Sequence, residues 1–186
     1  IGMGNMGYSM LKGALRFLNS QDIIFTCLSS DKKIKIYNET GVRYADSNAE
    51  CANNAKYIIL AVKPQVYDVV LKNIHDIVTE ESVIISLAPG ITIDTIKAKL
   101  GQDIKVVRAM PNTPALVGEG MTGISYEKGD LDFNEIEFVE TFFNSFGKVV
   151  TVPEKLMSGV VCASGSSPAY VYMFIEALAD SVVKYG

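Results

Sequence analysis

Short apolar runs alternate with amphipathic segments along most of this chain, and this alternation limits its possible folds more than any other feature. The runs have the length and β-branched content of strands that are buried on both faces of a sheet. Most of them are separated by segments whose apolar residues recur at helical spacing. The clearest runs are residues 23–28, 57–62, 82–87, 105–109 and 148–152. At least six strands alternating with helices predict an α/β fold with a doubly wound, mostly parallel sheet.

A glycine-rich turn, IGMGNMG, occupies residues 1–7 and leads directly into an amphipathic run. Between a strand and a helix, Gly2 permits the tight bend, Gly4 leaves room for a phosphate and Gly7 lets the helix pack closely. The first amides of such a helix can bind an anion. A structural turn would also explain the glycines, so the motif alone leaves both interpretations open. Only Ile1 precedes the first glycine, and we expect the true N-terminus to be missing from this sequence.

The residues after the run 23–28 bear on the choice of cofactor. Ser29 and Ser30 stand where an NAD-binding chain would carry an acidic residue for the ribose hydroxyls. Lys32 and Lys33 follow, and ammonium groups favour the additional phosphate of NADP. Asp31 would repel that phosphate, so NAD stays an alternative. A purely structural alternative is that Ser30 or Asp31 caps the next helix.

Two later strand ends also carry polar residues. Lys63 and Pro64 follow the run 57–62, at the carboxyl end of a predicted strand, where open α/β sheets bind their ligands. After the run 105–109, two prolines set a turn that presents Asn112 and Thr113. Such a turn is equally typical where Asn and Thr bond only to their own backbone.

The composition argues against several classes of function. A formal net charge of -4 gives no general basic field for nucleic acid, and no apolar run reaches the roughly 18 residues of a membrane span. The three cysteines are scattered, which favours buried free thiols over a disulfide framework or a metal site. A single histidine, His75, leaves little for histidine-based catalysis or metal binding.

The pattern changes to continuous helix after Pro153. Two helical runs, residues 156–163 and 168–185, are interrupted at 164–167, where Ser166 or Ser167 would cap the second helix. The second run carries a predicted core stripe of Tyr172, Ile175, Leu178, Ala179 and Val182. We therefore divide the chain into an α/β domain, residues 1–152, and the beginning of a helical domain, residues 153–186. We expect the second domain to be truncated, or to be completed by more sequence or another subunit.

Five segments, taken in order, resemble the pyrroline-5-carboxylate reductase family. They are residues 2–7 (GMGNMG), 61–65 (AVKPQ), 86–90 (SLAPG), 108–114 (RAMPNTP) with 117–120 (VGEG), and 164–170 (SGSSPAY). Two residues depart from the usual pattern of that family. Pro89 replaces an alanine and removes a backbone donor, and Ser167 replaces a glycine and restricts the backbone.

The resemblance implies reduction of 1-pyrroline-5-carboxylate to proline by NADPH or NADH, the last step of proline biosynthesis. It implies that residues 1–152 form an NAD(P)-binding Rossmann domain and that residues 153–186 begin a helical dimerisation and substrate domain. It implies a cytoplasmic homodimer or higher homo-oligomer, assembled through that helical domain. It also implies cofactor contacts at Gly2, Met3, Gly4, Asn5, Met6, Gly7, Ser30, Asn48, Ala61, Val62, Lys63, Pro64, Ala88, Asn112 and Thr113. The substrate would be bound mostly beyond Gly186, with Ser164, Gly165 and Ser166 as further candidates.

No catalytic side chain is predicted from the sequence. Hydride transfer to a cyclic imine that can already be protonated requires alignment of two ligands rather than a nucleophile. Two other functions stay open. A hydroxyacid or prephenate-type dehydrogenase would need a basic residue to accept the hydroxyl proton, and none is well placed after the long helix begins. A non-catalytic NADP-binding protein would keep the fold without turnover.

Overall fold

The structure is a computed structural model that describes all residues, 1–186. Its strands are β1 (Ile24–Phe25), β2 (Arg43–Tyr44), β3 (Tyr57–Leu60), β4 (Val83–Ser86), β5 (Lys105–Met110), β6 (Gly120–Tyr126) and β7 (Gly147–Thr151). Its α-helices are α1 (Asn5–Ala14), α2 (Ser30–Thr40), α3 (Asn48–Asn53), α4 (Tyr67–Ile74), α5 (Ile93–Leu100), α6 (Phe133–Asn144), α7 (Met157–Val160) and α8 (Ser167–Tyr185). The predicted alternation of strands and helices is therefore present.

The first two residues connect the two parts of the sheet. Strands β1 and β2 form one pair, and a five-stranded sheet follows the order β3-β4-β5-β6-β7. Ile1 donates its terminal amine to Ile59 O at 2.8 Å and accepts from Ala61 N at 2.9 Å. On the other side, Gly2 N donates to Thr26 O at 2.9 Å. Ile1 and Gly2 thus lie between β1 and β3 as a strand would, and the strand order reverses there.

One strand pair is antiparallel in this sheet, which is mostly parallel as predicted. Strands β3, β4 and β5 are parallel, and so are β6 and β7, but β5 and β6 are antiparallel. The reason is the connection: a short 3₁₀ turn over Thr113–Val117 joins β5 to β6, whereas a parallel pair needs a longer crossover. The turn brings the chain back along β5.

Helices cover both faces of the sheet, as a doubly wound fold requires. Neighbouring residues of β4 point to opposite faces: Ile84 packs with α3, α4 and α5, and Ile85 packs with α1 and α6. Both side chains are fully buried. This explains why Val83, Ile84 and Ile85 of β4 form a continuous apolar run without alternating polar residues.

Side-chain caps begin several of the helices. Ser47 caps α3 and Thr92 caps α5, each by accepting a backbone N–H. Helix α1 ends at Ala14, and a 3₁₀ segment, Ser20–Asp22, then leads to β1. The cap of α2 is Ser29, whose Oγ accepts from Lys32 N at 3.2 Å. The structural alternative, that Ser30 or Asp31 caps this helix, is therefore wrong.

The predicted interruption of the C-terminal helix is also wrong. A π-helical segment, Val161–Ser166, joins α7 to α8 without a break. Ser166 Oγ donates to Val161 O, and Ser167 Oγ donates to Ala163 O, so neither hydroxyl caps α8. Each serine bonds instead to a carbonyl of the preceding turn. Ser167 has an ordinary right-handed helical conformation, which does not require the glycine usual in the family.

Two burial predictions fail at the C-terminal end. No residue of α8 is buried, and Tyr172, Ile175, Leu178 and Val182 are each more than half exposed. The predicted core stripe is therefore an apolar surface within a single chain. Cys162 is exposed as well, while Cys51 is buried. Strand β7 ends at Thr151 and the helical part follows, but the domain division at residues 152 and 153 stays a prediction.

Candidate dinucleotide site

The glycine turn is packed tightly against the loop after β3. Gly2 has a positive φ of 93°, and a Cβ there would lie 2.7 Å from both Ala61 O and Val62 Cγ1. A Cβ on Gly7 would lie 2.1 Å from Gly2 O. Neither position can accept a side chain without a backbone shift. The structure therefore brings the turn, Ala61 and Val62 together.

Gly4 has the opposite environment. It is exposed, and a Cβ on it would meet no atom within 4 Å. Gly4 is the N-cap of α1 and provides no side-chain hydrogen bond, so the first amides of the helix, from Asn5 on, have no internal partner. Met3 and Met6 direct their side chains into the core, and only their backbone can face a ligand. The open side of the turn therefore consists of backbone donors and exposed space.

The other predicted contacts follow the carboxyl ends of β3, β4 and β5. These three strands are parallel, so Lys63, Ala88 and Asn112 lie at one edge of the sheet. Lys63 is exposed and forms no salt bridge, and Pro64 begins the short 3₁₀ turn that precedes α4. Ala88 is buried in the core, so its side chain packs rather than reaching solvent.

A buried tyrosine of α4 supports this edge of the sheet. Tyr67 is 1% exposed, and its hydroxyl donates to Leu60 O at 3.0 Å. The hydroxyl oxygen of Tyr67 also lies 3.0 Å from Ser86 Oγ. Burial raises the pKa of Tyr67, so the phenol stays neutral. It joins the last residues of β3 and β4 directly below the Ala61 and Ala88 loops.

Lys32 and Lys33, the two lysines after β1, have different environments. Lys33 is buried; its Nζ lies 3.6 Å from Asp46 Oδ1 and 3.4 Å from Asp46 O. Lys32 is exposed and forms no salt bridge, and Ser30, the first residue of α2, is exposed beside it. Of the two lysines, Lys32 is the one available to a ligand. The expectation that Lys33 faces a phosphate is wrong because Asp46, 13 residues away, already holds it.

Asn48 begins α3 and is half-buried. Its Nδ2 donates to Asn73 Oδ1 on α4 at 3.3 Å. The side chain therefore connects two helices on one face of the sheet. Its role as a cofactor contact stays a prediction.

Asn112 makes contacts far from its own turn. It is 9% exposed, its Oδ1 accepts from Met121 N at 2.9 Å, and its Nδ2 donates to Ser164 Oγ at 3.1 Å. The alternative that its amide satisfies only the local backbone is therefore wrong. Thr113 is exposed. The structure brings Asn112 together with Ser164, one of the three candidate substrate residues, and places Gly165 near Met110.

A carboxylate that the sequence analysis did not single out anchors the start of the helical part. Glu154 Oε1 accepts from Arg108 on β5 and from Ile93 N at the start of α5, both at 2.8 Å. Arg108 is buried. Its partner is 46 residues away in sequence, so no local pattern indicates the pair.

An apolar cavity of about 320 Å³ lies under α1, between β1 and β3. Its lining is mostly hydrophobic and includes Ile1, Ile24, Ile58 and Phe142. Such a lining does not suit a pyrophosphate, which needs donors. The exposed side of the glycine turn offers such donors, and this cavity does not.

Two further observations concern metals and membranes. The chain contains no group of three or more His, Cys, Asp or Glu residues arranged to bind a metal ion. None of its helices combines the length and the apolar character needed to cross a bilayer.

Comparison with known proteins identifies relatives of both parts of the chain. A family model described as NADP oxidoreductase, coenzyme F420-dependent, matches residues 1–90, and one described as pyrroline-5-carboxylate reductase dimerisation matches residues 154–186. The pyrroline-5-carboxylate reductase of Escherichia coli strain K12 is 40% identical over 189 residues, which cover 100% of this chain and 70% of that protein. The enzyme of the same name from Methanosarcina acetivorans is 33% identical over 192 residues, covering 100% and 69%.

Solved structures agree with these matches. Plasmodium falciparum pyrroline carboxylate reductase, solved with NADP bound, has a TM-score of 0.87 at 32% identity and covers 100% of this chain and 68% of its own. The Coxiella burnetii pyrroline-5-carboxylate reductase has a TM-score of 0.90 at 32% identity, covering 97% and 68%. An Aquifex aeolicus prephenate dehydrogenase has a TM-score of 0.67 at 18% identity over 100% of this chain and 70% of its own, which shows a shared fold alone. The predicted Rossmann-type fold is confirmed, and the chain belongs to the pyrroline-5-carboxylate reductase family.

Proposed function

We propose that this protein reduces 1-pyrroline-5-carboxylate to L-proline with NADPH as the hydride donor, the last step of proline biosynthesis. The proposal rests on one observation: the chain combines a dinucleotide-type glycine turn with a helical part bonded to the same edge of the sheet. A backbone cradle suited to a dinucleotide lies at the same sheet edge as Asn112, which is bonded to Ser164 of the helical part. Relatives that share 33–40% of their residues with this chain carry the name of that reductase.

The residues present fit a dinucleotide. The space beside Gly4 is open, and a side chain at that position would occupy it. The amides of residues 5–7 would hold the pyrophosphate, and Ser30 and Lys32 would hold the ribose and its phosphate. Ala61, Val62, Lys63 and Pro64 would border the nicotinamide. When bound, NADPH supplies the hydride.

The chain's own contribution is to bind and align its ligands. Tyr67 holds the ends of β3 and β4 together beneath the proposed nicotinamide loop, which limits the movement of that loop. We assign Lys63 to cofactor binding rather than to proton transfer. The one histidine, His75, is exposed and bonded to its neighbour Asp76 at 2.8 Å, so it has no role in the proposed reaction.

We further propose a homodimer, or a larger assembly of dimers, formed through α8. The exposed apolar residues of this helix cover its surface over residues 170–185, and burying them against a second copy would remove that surface from water. The matching dimerisation model covers residues 154–186. We propose the cytoplasm as the location and a small molecule as the only partner besides the protein itself. The net charge of -4 favours no nucleic-acid partner.

The proposal is tested by assaying the complete gene product for oxidation of NADPH that depends on pyrroline-5-carboxylate. We expect consumption of NADPH, formation of proline, and a dimeric or larger mass by light scattering. A hydroxyacid and prephenate with NAD are the control substrates. Turnover of either control with none on the imine would overturn the proposal, and cofactor binding without any turnover would indicate a non-catalytic NADP-binding protein.

Replacing Lys32 with alanine is expected to change the choice between cofactors. Its exposed ammonium is available to the additional phosphate of NADPH, so the ratio of NADPH affinity to NADH affinity should fall about tenfold. Fluorescence titration with each cofactor measures that ratio. Lys33→Ala is the matched comparison: because Asp46 holds Lys33, this variant should lose stability and keep the ratio. An unchanged ratio in Lys32→Ala would remove Lys32 from the phosphate site.

A further inference from the structure

We propose that Asn112 is a positioning residue that fixes the π-helical segment, Val161–Ser166, against the cofactor-binding edge and thereby sets the affinity for the imine. The inference rests on the proposed function, since it concerns the substrate of that reaction. It assigns Asn112 to a different role from the cofactor contact that the family resemblance implies.

The orientation of the Asn112 amide is determined by β6. Its Oδ1 accepts from the backbone N–H of Met121 at 2.9 Å, which directs Nδ2 away from β6. Nδ2 then donates to Ser164 Oγ at 3.1 Å. The Ser164 oxygen also lies 3.5 Å from Met121 O. The three residues close a small network that joins the loop after β5, the start of β6 and the π-helical segment.

The π-helical segment needs such an external contact. A π turn is wider than an α turn and is rare, and it usually occurs at functional sites. Here it has no buried residue and follows the four-residue helix α7. Gly165 reaches only Met110, at 3.8 Å from a Cβ placed on the glycine. The Asn112 bond is therefore the side-chain hydrogen bond that connects this segment to the loop after β5.

The burial of Asn112 separates its role from that of Thr113. Both polar atoms of the Asn112 side chain have protein partners, and the residue is 9% exposed. Thr113 is exposed beside it, so Thr113 remains the residue of this turn that can meet the cofactor. Loss of the Asn112 bond should consequently move Ser164 and its neighbours without affecting the glycine turn.

The experiment compares Asn112→Ala, Ser164→Ala and the double variant in the complete gene product. We expect each single variant to raise the KM for pyrroline-5-carboxylate about tenfold while the Kd for NADPH stays within about twofold. The effects of the two single variants should be less than additive in the double variant, because both remove the bond between Asn112 and Ser164. Ser164→Thr keeps the hydroxyl and should restore a KM near that of the wild type. Ser158→Ala, an exposed serine of α7, is the control and should change neither constant.

Hydrogen exchange of residues 161–166 provides a readout that does not depend on activity. We expect exchange in this segment to become faster in Asn112→Ala and in Ser164→Ala, and to stay unchanged in Ser158→Ala. If the wild type fails to reduce the imine, the proposed function fails while the exchange data still test the contact. Unchanged exchange, additive effects in the double variant, or an NADPH Kd that rises as much as the imine KM would each overturn the inference.

Discussion

Gly7→Ala is expected to lower the free energy of unfolding by about 3 kcal/mol and to weaken NADPH binding at least about tenfold. The added Cβ would lie 2.1 Å from Gly2 O. Because this neighbour is backbone and not a flexible side chain, the start of α1 must move away from Gly2. Urea unfolding and fluorescence titration with NADPH measure the two effects.

Gly4→Ala is the matched control for Gly7→Ala, because nothing lies within 4 Å of its added methyl group. We expect stability to stay within about 0.5 kcal/mol of the wild type and NADPH affinity to fall about tenfold, since the methyl group would occupy the proposed phosphate space. Unchanged affinity in Gly4→Ala would place the pyrophosphate elsewhere. A fully stable Gly7→Ala protein would contradict the packing of the turn.

Glu135→Gln should be the most destabilising replacement of a charged residue, at about 2–3 kcal/mol at pH 7. Glu135 is fully buried, and its Oε1 lies 2.9 Å from both Lys56 Nζ and Lys105 Nζ. Its Oε2 accepts from Asp132 N at 3.0 Å and completes the capping box of α6. Replacement by glutamine keeps the shape of the Glu135 side chain and removes the negative charge that both lysines face.

The pH dependence follows from the pKa of Glu135. Burial acts to raise this pKa, but hydrogen bonds from Lys56 and Lys105 outweigh it and lower the pKa to about 2, against a reference of 4.5. The depressed folded-state pKa means that this stabilisation is complete above about pH 4.5 and declines as the pH falls towards 2. Urea unfolding at pH 7, 4 and 3 should therefore show the gap between wild type and Glu135→Gln closing in acid. Glu137→Gln, exposed on the same helix, is the control, and a gap that is constant with pH would contradict the assignment.

The sequence predicted those parts of the fold that depend on local pattern. Buried parallel strands such as β3 are continuous apolar runs, because side chains on both faces of the strand pack against the core. The direction of β6 was not predictable in the same way. A strand's own residues do not specify its direction, which here depends on the short connection between β5 and β6.

The same distinction applies to the site. The glycine turn was predictable because its requirements lie within seven residues and in the steric needs of the backbone. The environments of Lys33 and Asn112 were not, because their partners Asp46 and Ser164 lie 13 and 52 residues away. An asparagine between two prolines has the same local pattern whether it bonds to its own turn or to a distant helix. Only the tertiary structure distinguishes the two.

The double contact of Glu154 also has a consequence for protein engineering. One carboxylate oxygen holds both Arg108 of the sheet and the first amide of α5, immediately before the helices that carry the exposed apolar surface. Glu154 thus fixes the direction in which those helices leave the sheet. A chimaera that joins this nucleotide-binding part to the helices of a relative should keep its assembly geometry only if it preserves an acidic residue at position 154 and an arginine at position 108.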